Sequence, residues 1–456
     1  MATTRARAAT LRSRDLAPIV ASLRKADRIA VRQFPGERED RQPVHTVYGG
    51  AHLFRAESAR KLGELAARSL DDYAPDAPRF ARAFELPADA DADALRRRVA
   101  AKLRSEPIED YRIDFEDGYG HRPDAEEDGH CLSAAREVAR GHAGKTLPPF
   151  VGVRIKPLTT ELHARGLRTL DLFVTALAEA LRPSFVPLLL VTLPKVTAAA
   201  QVAAAAHACA VLERRLKLPP GVLRLEVMIE TPQSILAADG TSPLRGFVAA
   251  GRGRVTAAHF GAYDYTALCG ISAAWQDIRH PACDFARHMM QIALAHSGVR
   301  LSDSVTTTLP VPVHRPGDGG LLTEAQRRDN TDAVHRGWKL HCDNVRHSLR
   351  HGFYQSWDLH PLQLPARYAA VYEFFSCGRT AASTRLRHFV EQATHATLSG
   401  GTFDDAATAQ GLLNFFVRGL TSGALTLEEA RETGLTVEEL QGRSFARVVA
   451  SRRDAR

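Results

Sequence analysis

The chain has 456 residues, 45% of them hydrophobic and 25% charged, and 60 Lys and Arg residues against 52 Asp and Glu residues give it a formal net charge of +8. This composition excludes a disordered or fibrous protein, and the scattered basic residues argue against nucleic acid as a partner. The six cysteines lack metal-ligand or disulfide spacing, and there is neither an apolar run of about 18 residues nor a signal-peptide pattern. We therefore expect a cytoplasmic protein that does not bind membranes.

Short apolar runs alternate with helical segments along the chain, which is the pattern of strand–helix–strand units with a parallel sheet. The predicted strands are residues 43–49, 111–117, 150–155, 187–195, 223–230, 254–261, 304–311 and 354–361. The predicted helices between them include 55–72, 123–140, 165–181, 197–216, 281–296 and 323–350. Eight such strands, with no glycine-rich dinucleotide turn after a strand, favour a (β/α)₈ TIM barrel over an open doubly wound sheet. Periodicity alone does not separate the two architectures.

Several segments lie outside this alternation. We expect an N-terminal extension at residues 1–42, the barrel at 43–375 with an insertion at 73–106, and a small C-terminal helical domain at 376–456. In that last domain, helices are predicted at 385–396, 404–421 and 427–432, with no convincing strand. The Gly- and Pro-rich stretch 314–322 predicts a surface loop after the seventh strand, either a lid over the active site or a passive loop.

Polar residues that end an apolar strand are the candidates for chemistry, because the active site of a (β/α)₈ barrel lies at the carboxyl ends of its strands. Glu230 ends the fifth predicted strand, and Asp264 follows a glycine turn after the sixth. Either acid alone is equally well explained as a helix N-cap. Together, on neighbouring strand ends, they offer the oxygen ligands of a Mg²⁺ site.

Arg154 and Lys195 end the third and fourth strands. A guanidinium at this position binds a substrate carboxylate or stabilises an enolate oxygen, and a buried ion pair with Glu116 or Asp117 is a compatible alternative. For Lys195, electrostatic assistance to substrate binding is favoured over a Schiff base. Because alternate strand positions share a face, Asp114 and Glu116 should point the same way, and Asp117 is free to turn into the mouth. We expect at least one of these three acids to orient Arg154 or to carry a proton.

Two histidines are further candidates. His45 on the first strand and His360 at the end of the eighth could bind substrate or act as the general base, because an unperturbed imidazole titrates near pH 6.5. A hydrogen-bonded core histidine is the favoured alternative for each.

The ordered motifs DFEDGY, VRIKP, LPKV, IETPQS, FGAYDYTALCG and DLHPLQ resemble the citrate lyase beta-subunit-like and HpcH/HpaI aldolase family of the pyruvate/phosphoenolpyruvate barrel superfamily, over about residues 43–375. The resemblance implies that Glu230 and Asp264 bind Mg²⁺, that Arg154 binds the keto-acid or enolate portion of the substrate, and that Glu116 and Asp117 lie close by. Lys156 stands where the family usually has Asn.

These observations predict a Mg²⁺-dependent carbon–carbon lyase or aldolase that acts on a small 2-oxo or 2-hydroxy acid through an enolate, in a homo-oligomer. One alternative is a malate-synthase-like Claisen condensation or a thioester lyase with a coenzyme A substrate. The less favoured alternative is a barrel scaffold without catalytic activity.

Overall fold

The computed structural model describes residues 10–38, 40–316, 320–391, 397–399, 402–404, 406–442 and 444–454. Eight parallel strands close into one barrel in chain order, with β1 paired to both β2 and β8. They are β1 (His45–Gly50), β2 (Asp110–Asp114), β3 (Phe150–Arg154), β4 (Leu189–Leu193), β5 (Leu223–Ile229), β6 (Val255–Phe260), β7 (Arg300–Val305) and β8 (Gln355–Asp358). The predicted (β/α)₈ TIM-barrel architecture is confirmed.

Helices precede, connect and follow the strands. Before and within the barrel they are α1 (Ser13–Gln33), α2 (Ser58–Tyr73), α3 (Ala77–Phe84), α4 (Ala92–Ser105), α5 (Asp124–Gly144), α6 (His163–Leu181), α7 (Ala199–Leu216), α8 (Pro232–Ile235), α9 (Leu244–Ala250), α10 (Ala262–Leu268), α11 (Pro281–Leu294) and α12 (Glu324–Arg350). After β8 come α13 (Leu364–Glu391), α14 (Ala406–Thr421), α15 (Leu427–Arg431), α16 (Val437–Gly442) and α17 (Phe445–Asp454). None of the described helices is long and apolar enough to cross a membrane.

Alternate strand residues face two different environments. On β1, Val47 joins the large apolar layer between the barrel and its helices, whereas Tyr48 belongs to a small apolar cluster with Met228, Val305 and Trp357 inside the barrel. Because both faces of each strand are buried, the sequence does not show which face points inward.

The barrel interior is charged as well as apolar. The fully buried guanidinium of Arg112 donates to Glu226 at 2.6 Å and to Asp110 Oδ2 at 3.0 Å, and its Nε also donates to Thr192 Oγ1 at 3.0 Å. Removing one partner of such a buried pair strands the other charge, so these residues depend on one another.

The seventh strand lies earlier in the chain than the sequence predicts. It runs over Arg300–Val305 rather than 304–311. The prediction relied on apolar residues, and buried Ser302, Asp303 and Ser304 make this strand polar. Asp303 Oδ2 accepts hydrogen bonds from Arg287 Nε at 2.9 Å and from Ser348 Oγ at 2.5 Å. A polar strand is stable here because its buried polar groups have partners.

The segment 73–106 forms two helices, α3 and α4, that pack against the barrel helices. Asp76 and Asp91 cap them, each accepting a backbone N–H three residues on, at 2.8 and 2.9 Å. Phe84 packs on Trp338 of α12 with ring centroids 5.0 Å apart. The segment thus thickens the helical layer.

The C-terminal helices begin inside the barrel domain, because α13 runs unbroken through the predicted boundary at 375/376. Phe375 on α13 packs against Phe415 on α14 at 5.2 Å. Two three-residue antiparallel strands, β9 (Thr397–Ser399) and β10 (Thr402–Asp404), were not predicted, since runs this short carry little periodicity. Residues 392–396 of the predicted helix 385–396 lie outside the described residues.

The structure describes only part of the predicted N-terminal extension and of the predicted loop 314–322. α1 has no buried residue, and residues 1–9 of the extension lie outside the described part. In the loop 314–322, His314 and Asn330 exchange hydrogen bonds at 2.7 and 3.0 Å, and residues 317–319 are not described. A lid role for this loop stays a prediction.

Candidate active site

Arg154 is held at the mouth of the barrel by Asp114. The two residues are paired in the register of β2 and β3, and the guanidinium donates from Nε to Asp114 Oδ1 at 2.7 Å and from Nη2 to Oδ2 at 2.5 Å. A side-on, two-bond contact of this kind fixes both position and orientation. Asp114 in turn accepts the backbone N–H groups of Glu116 at 3.0 Å and Gly118 at 2.7 Å. The turn after β2 thus orients Asp114, and Asp114 orients Arg154.

The third nitrogen of Arg154 faces the carboxylates that follow β2. Nη1 lies 3.1 Å from Glu116 Oε2 and 3.6 Å from Asp117 Oδ2. Glu116 is buried and Asp117 is exposed, so the two acids differ in environment although they are adjacent. Burial raises the pKa of the Glu116 carboxyl. The positive charges of Arg154 and Lys195 oppose this effect.

Lys195 crosses the mouth between two sets of acids. Its ammonium contacts Glu116, lies 3.3 Å from Asp117 Oδ1 and 3.8 Å from Asp264 Oδ2. Its backbone N–H donates to Glu230 Oε1 at 2.6 Å, and its backbone adopts a left-handed φ of 51°. Burial lowers the pKa of the ammonium, but the negative charges of Glu230 and Glu116 outweigh this and raise it. Lys195 is thus a fixed cation.

Glu230 directly follows β5 and is almost completely buried. Burial raises the pKa of this carboxyl to about 8, an effect that Asp264 increases and Lys195 opposes. A Cβ at Gly261 would lie 2.5 Å from Glu230 Cβ and 2.6 Å from Oε2. Only glycine leaves room for the Glu230 carboxylate at the end of β6.

Asp264 lies in the first turn of α10, which begins directly after Gly261. Its partly exposed carboxylate points to the same ammonium that lies against Glu116. Glu230 and Asp264 therefore flank Lys195, one buried and one open to the mouth.

Carboxylates outnumber cations at this mouth. The cations are Arg154 and Lys195, and the acids are Asp114, Glu116, Asp117, Glu230 and Asp264. Three of these acids, Asp114, Glu116 and Glu230, are buried. Buried negative charge is costly unless the carboxylates are paired or protonated or a cation binds. The donor set, the carboxylates of Glu230 and Asp264 with Gly261 leaving room for the first of them, fits an oxygen-coordinated divalent cation such as Mg²⁺.

Residues 23–448 match a family model described as Domain of unknown function (DUF6986). The chain belongs to this family. No curated protein matches it.

Solved structures with a similar fold include a citrate lyase from Burkholderia xenovorans LB400, at 17% identity and a TM-score of 0.54, covering 87% of this chain and 100% of that one. A malate synthase of Haloferax volcanii, solved as a magnesium/glyoxylate complex, is 14% identical with a TM-score of 0.45, covering 91% of this chain and 97% of that one. The likeness to the citrate lyase agrees with the resemblance inferred from the motifs, and at this identity it shows the fold alone.

The structure brings six predicted site residues of this DUF6986 chain together: Arg154, Glu116, Asp117, Lys195, Glu230 and Asp264. His45 is not among them. It is fully buried, with Nδ1 2.6 Å from Asp358 Oδ2 and Nε2 accepting the backbone N–H of Glu109 at 3.0 Å, and its ring packs near Tyr368 of α13. Both nitrogens are engaged, as in the core-histidine alternative. His45 faces the helices because β1 points Thr46 and Tyr48 inward instead.

His360 follows β8, where its Nδ1 accepts the backbone N–H of Leu362 at 3.2 Å. Burial lowers its pKa. A role of His360 in substrate binding stays a prediction.

Lys156, which stands where the family usually has Asn, donates to Glu127 at 2.6 Å and to the Phe115 carbonyl at 2.9 Å. Its ammonium thus ties β3 to α5.

Of the residues around Arg154, the three acids were predicted from the sequence and Tyr48 was not. The sequence left open which acid would pair with the guanidinium, and the structure gives this part to Asp114. The available signal was the alternation of Asp110, Arg112 and Asp114 on one face of β2. Tyr48, whose ring lies 4.8 Å from the guanidinium carbon, gave no such signal.

Proposed function

We propose that this chain is a Mg²⁺-dependent carbon–carbon lyase or aldolase that cleaves or forms a small 2-oxo or 2-hydroxy acid through an enolate. The observation that carries the proposal is the Asp114–Arg154 pair at a barrel mouth where carboxylates exceed cations. A locked guanidinium beside a divalent-cation site suits the binding of a carboxylate and the stabilisation of an enolate oxygen.

Arg154 binds the anionic end of the substrate. Because Asp114 already holds Nε and Nη2, the guanidinium needs no reorganisation when charge develops on the bound oxygen. Its Nη1, now beside Glu116 and Asp117, is the donor turned toward the mouth.

Glu230 and Asp264 would hold Mg²⁺, which when bound acts as a Lewis acid toward the carboxylate and the 2-oxygen of the substrate. Lys195 fixes Glu230 Oε1 through its backbone N–H and stays cationic. A Schiff base requires a neutral amine, so the raised pKa of Lys195 favours electrostatic assistance instead.

Glu116, with Asp117 beside it, is the proton carrier of the proposal. In the cleavage direction a base takes the proton from the hydroxyl on the carbon that becomes a carbonyl. The carbon–carbon bond then breaks, and its electron pair passes to the enolate oxygen. A proton finally returns to the enolate carbon. Glu116 contacts both Lys195 and Arg154, the two cations proposed to bind the substrate, and this supports its assignment as the proton carrier.

The test is a screen of 2-oxo acids, with and without aldehydes, that reads the release or consumption of pyruvate and glyoxylate. Glu230→Gln and Asp264→Asn should abolish Mg²⁺-dependent turnover while circular dichroism shows an intact fold. Glu324→Gln, at an exposed acid on α12, is the matched control and should retain activity. Full activity in both mouth variants would overturn the proposal. Coenzyme A binding detected by calorimetry would shift it to a thioester substrate.

A further inference from the structure

A second cluster of metal-ligating side chains lies between α11 and α12, the helices that follow β6 and β7. Asp284 and His288 are one helical turn apart on α11, and His347 and His351 are one turn apart at the end of α12. The ligating atoms of Asp284, His347 and His351 all lie within 4.8 Å of one another. None of them belongs to the candidate active site.

The ligand atoms of the three side chains already lie close to the separations found around a bound ion. His347 Nε2 lies 2.9 Å and His351 Nε2 3.9 Å from Asp284 Oδ1, and the two imidazole rings are 4.2 Å apart. Zn²⁺ bonds of roughly 2.0–2.2 Å in a tetrahedral site set ligand atoms about 3.4 Å apart, which lies between these two distances.

A backbone contact prepares His351 as a ligand. Its Nδ1 lies 2.9 Å from the carbonyl oxygen of His347. Because a carbonyl only accepts, Nδ1 carries a hydrogen, and Nε2 is the nitrogen that faces Asp284. Metal-binding histidines are commonly oriented by such a contact to the other nitrogen.

A buried carboxylate on β7 holds both helices in register. Asp303 accepts from Arg287, next to His288 on α11, and from Ser348, next to His347 on α12. Arg287 also donates to Asp284 Oδ1 at 2.7 Å, which orients this carboxylate but adds a positive charge beside it. The side chains are therefore held close together. A bound ion competes with Arg287 for Asp284 and replaces the hydrogen that His347 Nε2 donates to the same carboxylate.

The geometry points to a binding site for a divalent transition metal of the Zn²⁺ class, formed by Asp284, His347 and His351. Water or the exposed His288, whose ring lies 5.8 Å from that of His351, completes the coordination. Two imidazoles and one carboxylate suit Zn²⁺, Co²⁺ or Ni²⁺, whereas Mg²⁺ prefers oxygen ligands alone. An ion here links α11 to α12 on the outside of the barrel.

The test is a Co²⁺ titration of the chelator-treated full chain, read by visible absorption and by the rise in melting temperature, with Zn²⁺ as competitor. In a Glu230→Gln/Asp264→Asn background, which removes the proposed metal ligands of the barrel mouth, the further changes His347→Ala/His351→Ala should abolish the absorption band and the thermal shift. The double variant His163→Ala/His207→Ala, which removes two exposed histidines elsewhere, should keep both. The variant Glu230→Gln/Asp264→Asn should keep them as well, which separates this site from the barrel mouth. Equal Co²⁺ binding in wild type and His347→Ala/His351→Ala would overturn the inference.

A second measurement covers the case in which His347→Ala/His351→Ala does not fold. In the wild-type chain, Zn²⁺ should protect His347 and His351 from diethyl pyrocarbonate, as read by mass spectrometry, while His163 and His207 react as before. Unchanged modification of His347 and His351 at saturating Zn²⁺ would equally overturn it.

Discussion

Asp114 accepts two hydrogen bonds from Arg154, and both side chains are buried at the ends of neighbouring strands. The pair makes the guanidinium a fixed part of the barrel rather than a mobile side chain. Asp114→Asn removes the carboxylate that accepts from both Nε and Nη2 of Arg154, and the loss of one partner of a buried pair costs about 3–5 kcal/mol. Urea unfolding should show this loss, whereas Glu64→Gln, which breaks the exposed pair with Arg60, should leave the midpoint nearly unchanged.

Arg154→Lys keeps the charge but cannot make the side-on contact to Asp114. If Arg154 stabilises an enolate oxygen, kcat/KM should fall by about 10²–10³-fold, the range seen when one oriented donor is removed. Steady-state kinetics on the substrate found in the 2-oxo acid screen will check this. A kcat/KM within twofold of wild type would contradict the assigned role.

Gly261→Ala should damage the Glu230 site. The added Cβ would meet Glu230 Cβ at 2.5 Å and Oε2 at 2.6 Å, so the carboxylate must move, at a cost of about 1–3 kcal/mol for overpacking. Gly246→Ala, on α9 with no atom within 4 Å of the new Cβ, is the control and should be neutral or slightly stabilising. Calorimetry should show weaker Mg²⁺ binding in Gly261→Ala only.

Glu230 should make the metal-free protein sensitive to pH. Its folded-state pKa of about 8 lies above the ordinary value of 4.5, so its contribution to stability is full below about pH 4.5 and is lost as pH rises through about 8. Glu230→Gln stays neutral and should lose less stability than wild type between about pH 5 and pH 9. Melting curves in chelator will show this, and added Mg²⁺ should restore wild-type stability at the alkaline end. Parallel pH profiles in chelator would refute it.

Two substitutions at Lys195 separate the effect of its left-handed backbone from that of its ammonium group. With φ at 51°, a residue with a Cβ is strained by about 1–2 kcal/mol, which glycine avoids. Lys195→Gly and Lys195→Ala both remove the cation, so activity should fall similarly in both. The glycine variant should nevertheless melt higher than the alanine variant, and an equal or lower melting temperature would argue against strain at this position.

The barrel was predictable because β3, β4, β5 and β6 are largely apolar runs of ordinary length between helical segments. The position of β7 was predicted wrongly because Ser302, Asp303 and Ser304 make it a polar strand. The mouth residues were predictable because polar side chains that end strands converge in a closed barrel. The sequence does not show which face of β1 points inward, because both faces are buried. His45 was therefore predicted as a site residue, although its side chain points away from the site. The pairing of Arg154 depends on side-chain geometry across two strands, which spacing does not encode. The homo-oligomer expected from the sequence stays a prediction.

α13 has a consequence for how the C-terminal part of the chain moves. Its first turns lie against β8 through Arg367, which donates to Asp358 at 2.8 Å, and its later turns carry the packing of α14 through Phe375. A sharp kink in the middle of α13 would break backbone hydrogen bonds of the helix. A tilt of α14 therefore acts through α13 on β8. A chain cut after residue 375 would end within α13 and would leave Phe375 without its contact to Phe415.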